Sequence, residues 1–310
     1  MSDTTFLPHP ESSLTFFLSL VSGRLKPGKL WYDREYRVKY LMRSLIWPAQ
    51  THRLVNAITA EPVMRSILSV QHTLPSKIHR PYLYGGMPVM QRVQAVIDHY
   101  DFIKNLSSPR LREAMLTAQG VELLQFDGKN GEHFSITLAC TGRCEREGEV
   151  NLFVSVDGEK LAMLTFAVVC QNGNPVVVIG GIQGAHRDTP HERIREATKA
   201  CYGLFPKRLL METLLLFCQA TGVVQIQAVS DHGHIFRSLR YRLKKKSLFH
   251  ASYNEFWESL HAVPLSAQLY AIPMTFPRKP LDEVVSKKRS EYRKRYELLD
   301  RLSQQFVGRL

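Results

Sequence analysis

Between Val121 and Ile182 the chain alternates short, β-branched apolar runs with turn-forming residues, and no other feature restricts its fold as strongly. The runs are VELLQF, HFSITLAC, VNLFVSV, LAMLTFAVV and PVVVIGGI, separated by DGKNGE, DGEK and QNGNP. Alternation broken by Asp-Gly and Asn-Gly is the pattern of antiparallel strands joined by tight hairpins, so a meander of about five strands is predicted. A further strand, VVQIQAVS from Val223 to Ser230, follows two helical segments and can return beside PVVVIGGI as a parallel neighbour through a crossover.

Upstream of Gly120 the periodicity is helical, with prolines as boundaries. LWYDREYRVKYLMRSLIW puts Trp31, Val38, Leu41, Met42 and Leu45 on roughly one side, and MPVMQRVQAVIDHYDFIKNL has similar spacing. LPSKIHRPYLYGG between them reads as a loop. The expected class is therefore α+β: a helical N-terminal region over 1–118, a mixed, mostly antiparallel sheet with packed helices over 119–276, and a basic amphipathic C-terminal helix over 277–310.

An apolar content of 44% and an aromatic content of 10% in 310 residues exclude a disordered chain. The formal charge of +13 implies anionic partners: nucleic acid, acidic lipid headgroups or a phosphorylated cofactor. Five irregularly spaced cysteines give neither a disulfide framework nor a zinc site, so no metal ligands are assigned. The apolar LTFFLSL stretch, Leu14 to Leu20, has no Lys or Arg before it and no cleavage signal after it, and no other apolar run reaches the ~18 residues a membrane span needs. The expectation is a cytoplasmic protein, with peripheral contact to the inner membrane as an additional option.

The candidate chemistry lies between Val176 and Leu214. TPHE, Thr189 to Glu192, fits a capping box with Thr189 as N-cap and Pro190 first in the helix, and Gly203 ends that helix. The next helix starts at Pro206. This leaves Phe205, which has no side-chain acceptor, at the N-cap, and Lys207 and Arg208 in the first turn oppose the helix dipole at ~0.3–1 kcal/mol each. A bound anion reverses that cost, and the preceding GGIQG lets backbone approach a ligand. Gln183, Gly184, Lys207 and Arg208 are accordingly candidates for holding a phosphorylated cofactor; the competing reading has water and a distant side chain capping the helix. Glu212, the one charge in the body of this helix, is expected to be paired or at its rim.

In DHGHIFRSLRYRLKKKSLF, Asp231 can cap a short helix from about Gly233 to Leu243, with His234 and Tyr241 near the carboxyl edge of the sheet, where open sheets bind ligands. SYNEFWESL is expected to be a packing helix anchored by Phe256 and Trp257. From Pro280 to Phe306, Leu281, Val285, Tyr292, Tyr296, Leu299 and Phe306 trace an apolar stripe beside KKR and RKR. Such a helix either lies on anionic lipid, follows phosphates, or docks its stripe on the domain.

A β-meander, a strand entering a glycine-containing turn, a helix starting at a phosphate site, a parallel strand and a short helix bearing a tyrosine together resemble the GNAT acyltransferase superfamily. The resemblance implies cofactor binding by Gln183, Gly184, Lys207 and Arg208, and protonation of the leaving thiolate by Tyr241, with acetyl-CoA or another acyl-CoA as donor. An additional helix, Pro190 to Ala200, departs from that pattern. Over most of its length the chain also resembles the VirK/YbjX family of Gram-negative bacteria, through IGGIQG, GLFPKRLLMETL, SYNEFWESL, PRKPLDEVVSKKRSEYRKRYELLD and HYDFIKN. That resemblance implies an envelope-associated role in virulence and in resistance to cationic antimicrobial peptides. Two functions follow: an acyl-CoA-dependent transferase acting on an envelope component, polyamine or protein amine, or a non-catalytic regulatory protein that binds RNA or anionic lipid. Nucleic acid ranks below a phosphorylated cofactor as a partner.

Overall fold

Asp157 and Gly158 have φ of 52° and 81°, and Asn172 and Gly173 have φ of 52° and 79°. Two successive left-handed residues are what a two-residue hairpin turn needs to match strand twist, and Asp-Gly and Asn-Gly reach that conformation at least cost. The computed structural model describes residues 12–237 and 253–310. In it these turns join β3 (Val150–Val156) to β4 (Glu159–Gln171) and β4 to β5 (Asn174–Gln183). With β1 (Val121–Asp127) and β2 (His133–Ala139) they form the expected five-stranded meander.

After β5 the chain forms α7 (His191–Ala200) and α8 (Pro206–Thr221), then returns as β6 (Gln225–Val229), parallel to β5 with Val176 opposite Gln225. Strands β7 (Val263–Pro264) and β8 (Leu269–Ile272) extend the sheet, β8 pairing antiparallel with β6. They are too short for their periodicity to register in the sequence. Among the described residues the sheet is mixed and open, with eight strands in the order 1-2-3-4-5-6-8-7. The fold is α+β, as expected.

The N-terminal helices are α1 (Ser13–Ser22), α2 (Arg34–Ile46), α3 (Pro48–Ala60), α4 (Pro62–Ser66), α5 (Val89–Lys104) and α6 (Pro109–Leu116). Both α5 and α8 pack on β4. Phe217 of α8 meets Phe166 of β4 and Phe102 of α5, and His99 of α5 accepts a hydrogen bond from the Val168 amide at 3.1 Å. The segment expected to be a loop, Leu74 to Gly86, instead starts with a buried 3-10 turn, Leu74–His79. Its backbone is anchored at both ends of the sheet domain's loops, Leu83 N–H to Arg146 O at 2.7 Å and Gly85 N–H to Gly233 O at 2.6 Å.

Three local expectations need correction. In α2 the buried residues are Tyr40 and Ser44, while Val38, Met42 and Leu45 are exposed. Tyr40 takes the inward position because its ring packs edge-on against Trp31 and beside Phe17 and His79. Thr189 does not cap α7: its hydroxyl donates to Glu159 at 2.9 Å, and Pro190 occupies the N-cap position. The C-terminal helix α10 begins only at Arg289 and runs to Gly308; its buried face is Leu298, Leu302 and Phe306, and Val285 is exposed. That face docks on α8 and β1, which is how the basic helix satisfies its apolar stripe. Helix α9 (Tyr253–Ser259) buries Trp257, as expected of a packing helix. Among the described residues no helix is long and apolar enough to cross a membrane.

Candidate functional site

Gly180 and Gly181 are not part of a turn. They lie within β5, at the irregularity where Thr165 faces Gly181 and Phe166 faces Ile179. A Cβ at Gly180 would collide with the Glu147 carbonyl, and one at Gly181 with the Glu147 carboxylate. The loop between β2 and β3 therefore lies directly across β5, which only glycine permits at these positions. It leaves the Glu147 side chain buried over the carboxyl end of the strand. There Gln183 Nε2 donates to Glu147 Oε2 at 3.4 Å and sits 3.2 Å from Cys144 Sγ.

From the other side, the loop after β6 supplies His234. Its Nε2 is 3.4 Å from Glu147 Oε1, a charge-pairing distance, with the two side chains 3% and 1% exposed. Asp231 in this loop caps α9, accepting from the amides of Tyr253 at 2.9 Å and Asn254 at 3.4 Å. It thus caps a helix; of the helix expected from Gly233 to Leu243, Ile235 to Arg237 makes a 3-10 turn and the rest, from 238 on, lies outside the described residues. Trp257 Nε1 donates to the Val229 carbonyl at 2.8 Å, fixing α9 against β6. Tyr253 is thereby stacked on His234, ring centroids 5.3 Å apart.

Burial, and after it the Glu147 carboxylate, pushes the Tyr253 phenol well above its usual range, against a hydrogen bond from the Ile182 backbone. The same two causes, in the same order, raise the Cys144 thiol to about 11. At neutral pH both groups hold their protons. The crevice thus sets a buried carboxylate-histidine pair, in which His234 Nδ1 also accepts from the Phe236 amide at 3.4 Å, beside a phenol that holds its proton.

Of the residues singled out from sequence, Gln183, Gly184, His234 and Lys207 come together here. The Lys207 Cε is 3.8 Å from where a Gly184 Cβ would stand, and its ammonium is 5.9 Å from the Phe256 ring centroid. Burial lowers the Lys207 pKa. As expected, no side chain caps α8 at Phe205, although the Arg208 and Leu209 amides both bond to the Phe205 carbonyl. Arg208 does not join the crevice. Adjacent helical residues project roughly 100° apart, and Arg208 turns to Glu212 at 2.9 Å and stacks on Phe276 at 4.0 Å. It lines a different cavity, of about 560 Å³, bounded by α8 and α10. Glu212 is paired, as foreseen. Tyr241 lies outside the described residues.

Sequence reasoning missed Glu147, Cys144 and Tyr253. The available signal was the pair of glycines in an otherwise apolar strand, which marks close approach of other backbone. It announces a neighbour but does not say which one. No group of three or more His, Cys, Asp or Glu residues among those described is arranged to hold a metal ion.

A family model described as "Protein of unknown function (DUF535)" matches residues 29–307. The chain belongs to the DUF535 family. This DUF535 chain is 42% identical over 309 residues to the "Uncharacterized protein YbjX" of Escherichia coli (strain K12), covering 99% of this chain and 93% of that protein. Two uncharacterized proteins of Haemophilus influenzae are 23% and 25% identical, over 86% and 90% of the chain and 88% and 89% of their own lengths. The resemblance to YbjX thus holds at the level of the family. No solved structure matches the chain.

Proposed function

We propose that the crevice at the carboxyl ends of β5 and β6 is an acyl-transfer site using acetyl-CoA or another acyl-CoA, within a GNAT-like arrangement of strands and helices. The observation that carries this reading is the Glu147–His234 pair, buried beside Tyr253 at the point where β5, β6 and α8 meet. Lys207 and the side-chain-uncapped start of α8 provide positive potential for phosphates on the same side as Gly184. The fit favours this assignment: Gly184 is exposed, and among the described residues only Lys207 stands within 4 Å of its missing Cβ, so a ligand can come close to backbone there.

Glu147, oriented by Gln183 and His234, takes the proton of an attacking amine as the amine nitrogen forms a bond to the acyl carbon; His234 holds that carboxylate through Nε2 while its Nδ1 accepts from the Phe236 amide at 3.4 Å. Tyr253 donates its proton to the departing thiolate sulfur as the carbon–sulfur bond breaks. Tyr253 occupies the short helix after the parallel strand, the place the GNAT resemblance gives to a tyrosine; Tyr241 is the alternative donor. The acceptor is an amine of a polyamine, protein or envelope component, and resistance to cationic antimicrobial peptides is the biological outcome this reading carries.

Calorimetric titration with coenzyme A and thermal shift test it. Coenzyme A is expected to raise the melting temperature of the native chain, and Lys207→Ala to remove most of that shift, whereas Arg208→Ala keeps it. Tyr253→Phe is expected to retain binding and lower thiol release from acetyl-CoA by about 10²–10⁴-fold. If coenzyme A leaves the native chain unshifted and produces no heat, the acyltransferase reading is wrong.

A further inference from the structure

The apolar stripe of α2 points away from the core. Val38, Met42 and Leu45, at helical spacing i, i+4 and i+7, are 49%, 56% and 66% exposed, and Ile46 beside them is also exposed. On neighbouring α1, Leu14 and Leu18 repeat the pattern, with Leu14 64% exposed. Leu14 and Leu45 meet at the rim of one cleft of about 210 Å³ on the seam of α1, α2 and α3, so the two stripes form a continuous surface. Scattered apolar residues are ordinary on a protein surface, but two adjacent helices that each turn an apolar stripe outward are not.

The charge around this surface identifies its occupant. From Ser12 to Ala60 there are eight Lys or Arg residues, and Asp33 and Glu35 are the only acidic ones. Glu35 is taken up by Lys39, and Asp33 caps α2 through the Glu35 amide at 2.8 Å. Among the described residues no carboxylate pairs with Arg24, Lys26, Lys29 or Arg34, and Arg34 stands one turn before Val38 at the head of the stripe. An apolar face bordered by uncompensated cations fits an interface with both a hydrocarbon layer and a negative surface.

We infer that α1 and α2 dock the protein onto the surface of an anionic lipid bilayer, lying in the interface with Leu14, Leu18, Val38, Met42, Leu45 and Ile46 toward the acyl chains. The cleft between Leu14 and Leu45 is the place for one acyl chain end. This docking uses the N-terminal helices and not α10, whose apolar face is already occupied by α8 and β1. It is independent of the acyl-transfer reading.

The test is co-sedimentation of the full chain with phosphatidylcholine vesicles, with and without phosphatidylglycerol. Binding is expected to require the anionic lipid and to weaken with salt. The double variant Met42→Glu, Leu45→Glu should lower partitioning by about ten-fold or more, and Arg34→Glu should lower it less. All these positions are exposed, so circular dichroism and the melting temperature should match the native chain. Alanine at Lys287 and Lys288 should leave partitioning unchanged. Three results would overturn the inference: no binding to anionic vesicles, equal binding by the double variant, or a stable dimer in solution that the double variant dissociates, which would make a second copy the occupant.

Discussion

Lys77 Nζ lies 2.6 Å from Glu149 Oε1, with side chains 1% and 0% exposed, so a full ion pair spans the contact between the N-terminal region and the sheet. Tyr82 donates to the same carboxylate oxygen at 2.6 Å and Tyr100 to the other at 2.9 Å. Burial alone would push the Glu149 carboxyl up. The Lys77 ammonium, His99 and the hydrogen bonds together outweigh it and hold the carboxyl below its usual range. Removing one partner strands the other charge, and Lys77→Met should cost about 3–5 kcal/mol. Joint replacement, Lys77→Met with Glu149→Leu, should recover part of that loss in urea unfolding.

A pH signature accompanies this pair. The folded carboxyl is more acidic than the unfolded one, so its contribution is fully present above the unfolded pKa of about 4.3 and is lost as pH falls through the lower folded value. Melting temperature should therefore drop on acidification below roughly pH 5, and Glu149→Gln should reduce that slope. An unchanged acid limb in Glu149→Gln would assign the acid sensitivity to other groups.

Gly181→Ala tests the contact that forms the crevice. The added methyl meets the Glu147 carboxylate, and relieving the overlap displaces either that side chain or the β4–β5 pairing. A loss of about 2 kcal/mol is expected, in line with overpacking of a well-filled interior. Gly308→Ala, where nothing among the described residues stands within 4 Å, serves as the control and should be neutral or slightly stabilising.

Helix α10 should contribute through its apolar face and not its charge. Phe306 is 1% exposed, and Phe306→Ala should cost about 3–5 kcal/mol. Alanine at Arg293 or Lys294, exposed on this helix, should stay within about 0.5 kcal/mol of the native chain. Differential scanning calorimetry of the three variants distinguishes docking from a purely electrostatic role.

Thiol labelling reports on the crevice. Cys170 is exposed, whereas Cys140, Cys201 and Cys218 are buried and the Cys144 thiol is raised to about 11. Since the thiolate is the reactive form, a disulfide reagent at pH 8 should label one residue, Cys170, in the native state and all five after denaturation. Rapid native labelling of Cys144 at that pH would contradict its raised thiol pKa beside Glu147.

Where the chain's conformation depends on neighbours in sequence, it was legible in advance. The Asp157-Gly158 and Asn172-Gly173 turns, the five meander strands, the parallel return of β6 and Pro206 opening α8 all rest on backbone preferences that a few consecutive residues set, whereas α7 ends at Ala200 with Cys201 as C-cap and Tyr202 already left-handed, ahead of the expected Gly203. Gln183, Gly184, His234 and Lys207 were likewise singled out from their places at strand and helix ends, and the fold brings them to one side of the sheet.

What separated residues do to one another only the tertiary structure decided. Helical periodicity shows that α2 has an apolar side but not which way it faces, and Tyr40, held by Trp31 and Phe17, turned Val38, Met42 and Leu45 outward. The spacing of Lys207 and Arg208 gives two cations in one turn, yet rotation about the helix axis sends Lys207 toward Gly184 and Phe256 and Arg208 to Glu212 and the cavity beside α10. Glu147 is one of several loop carboxylates in the sequence, and it becomes special because two glycines of β5, more than thirty residues later, leave room for it. Packing is a property of surfaces that meet, and a linear pattern records each surface without naming its partner.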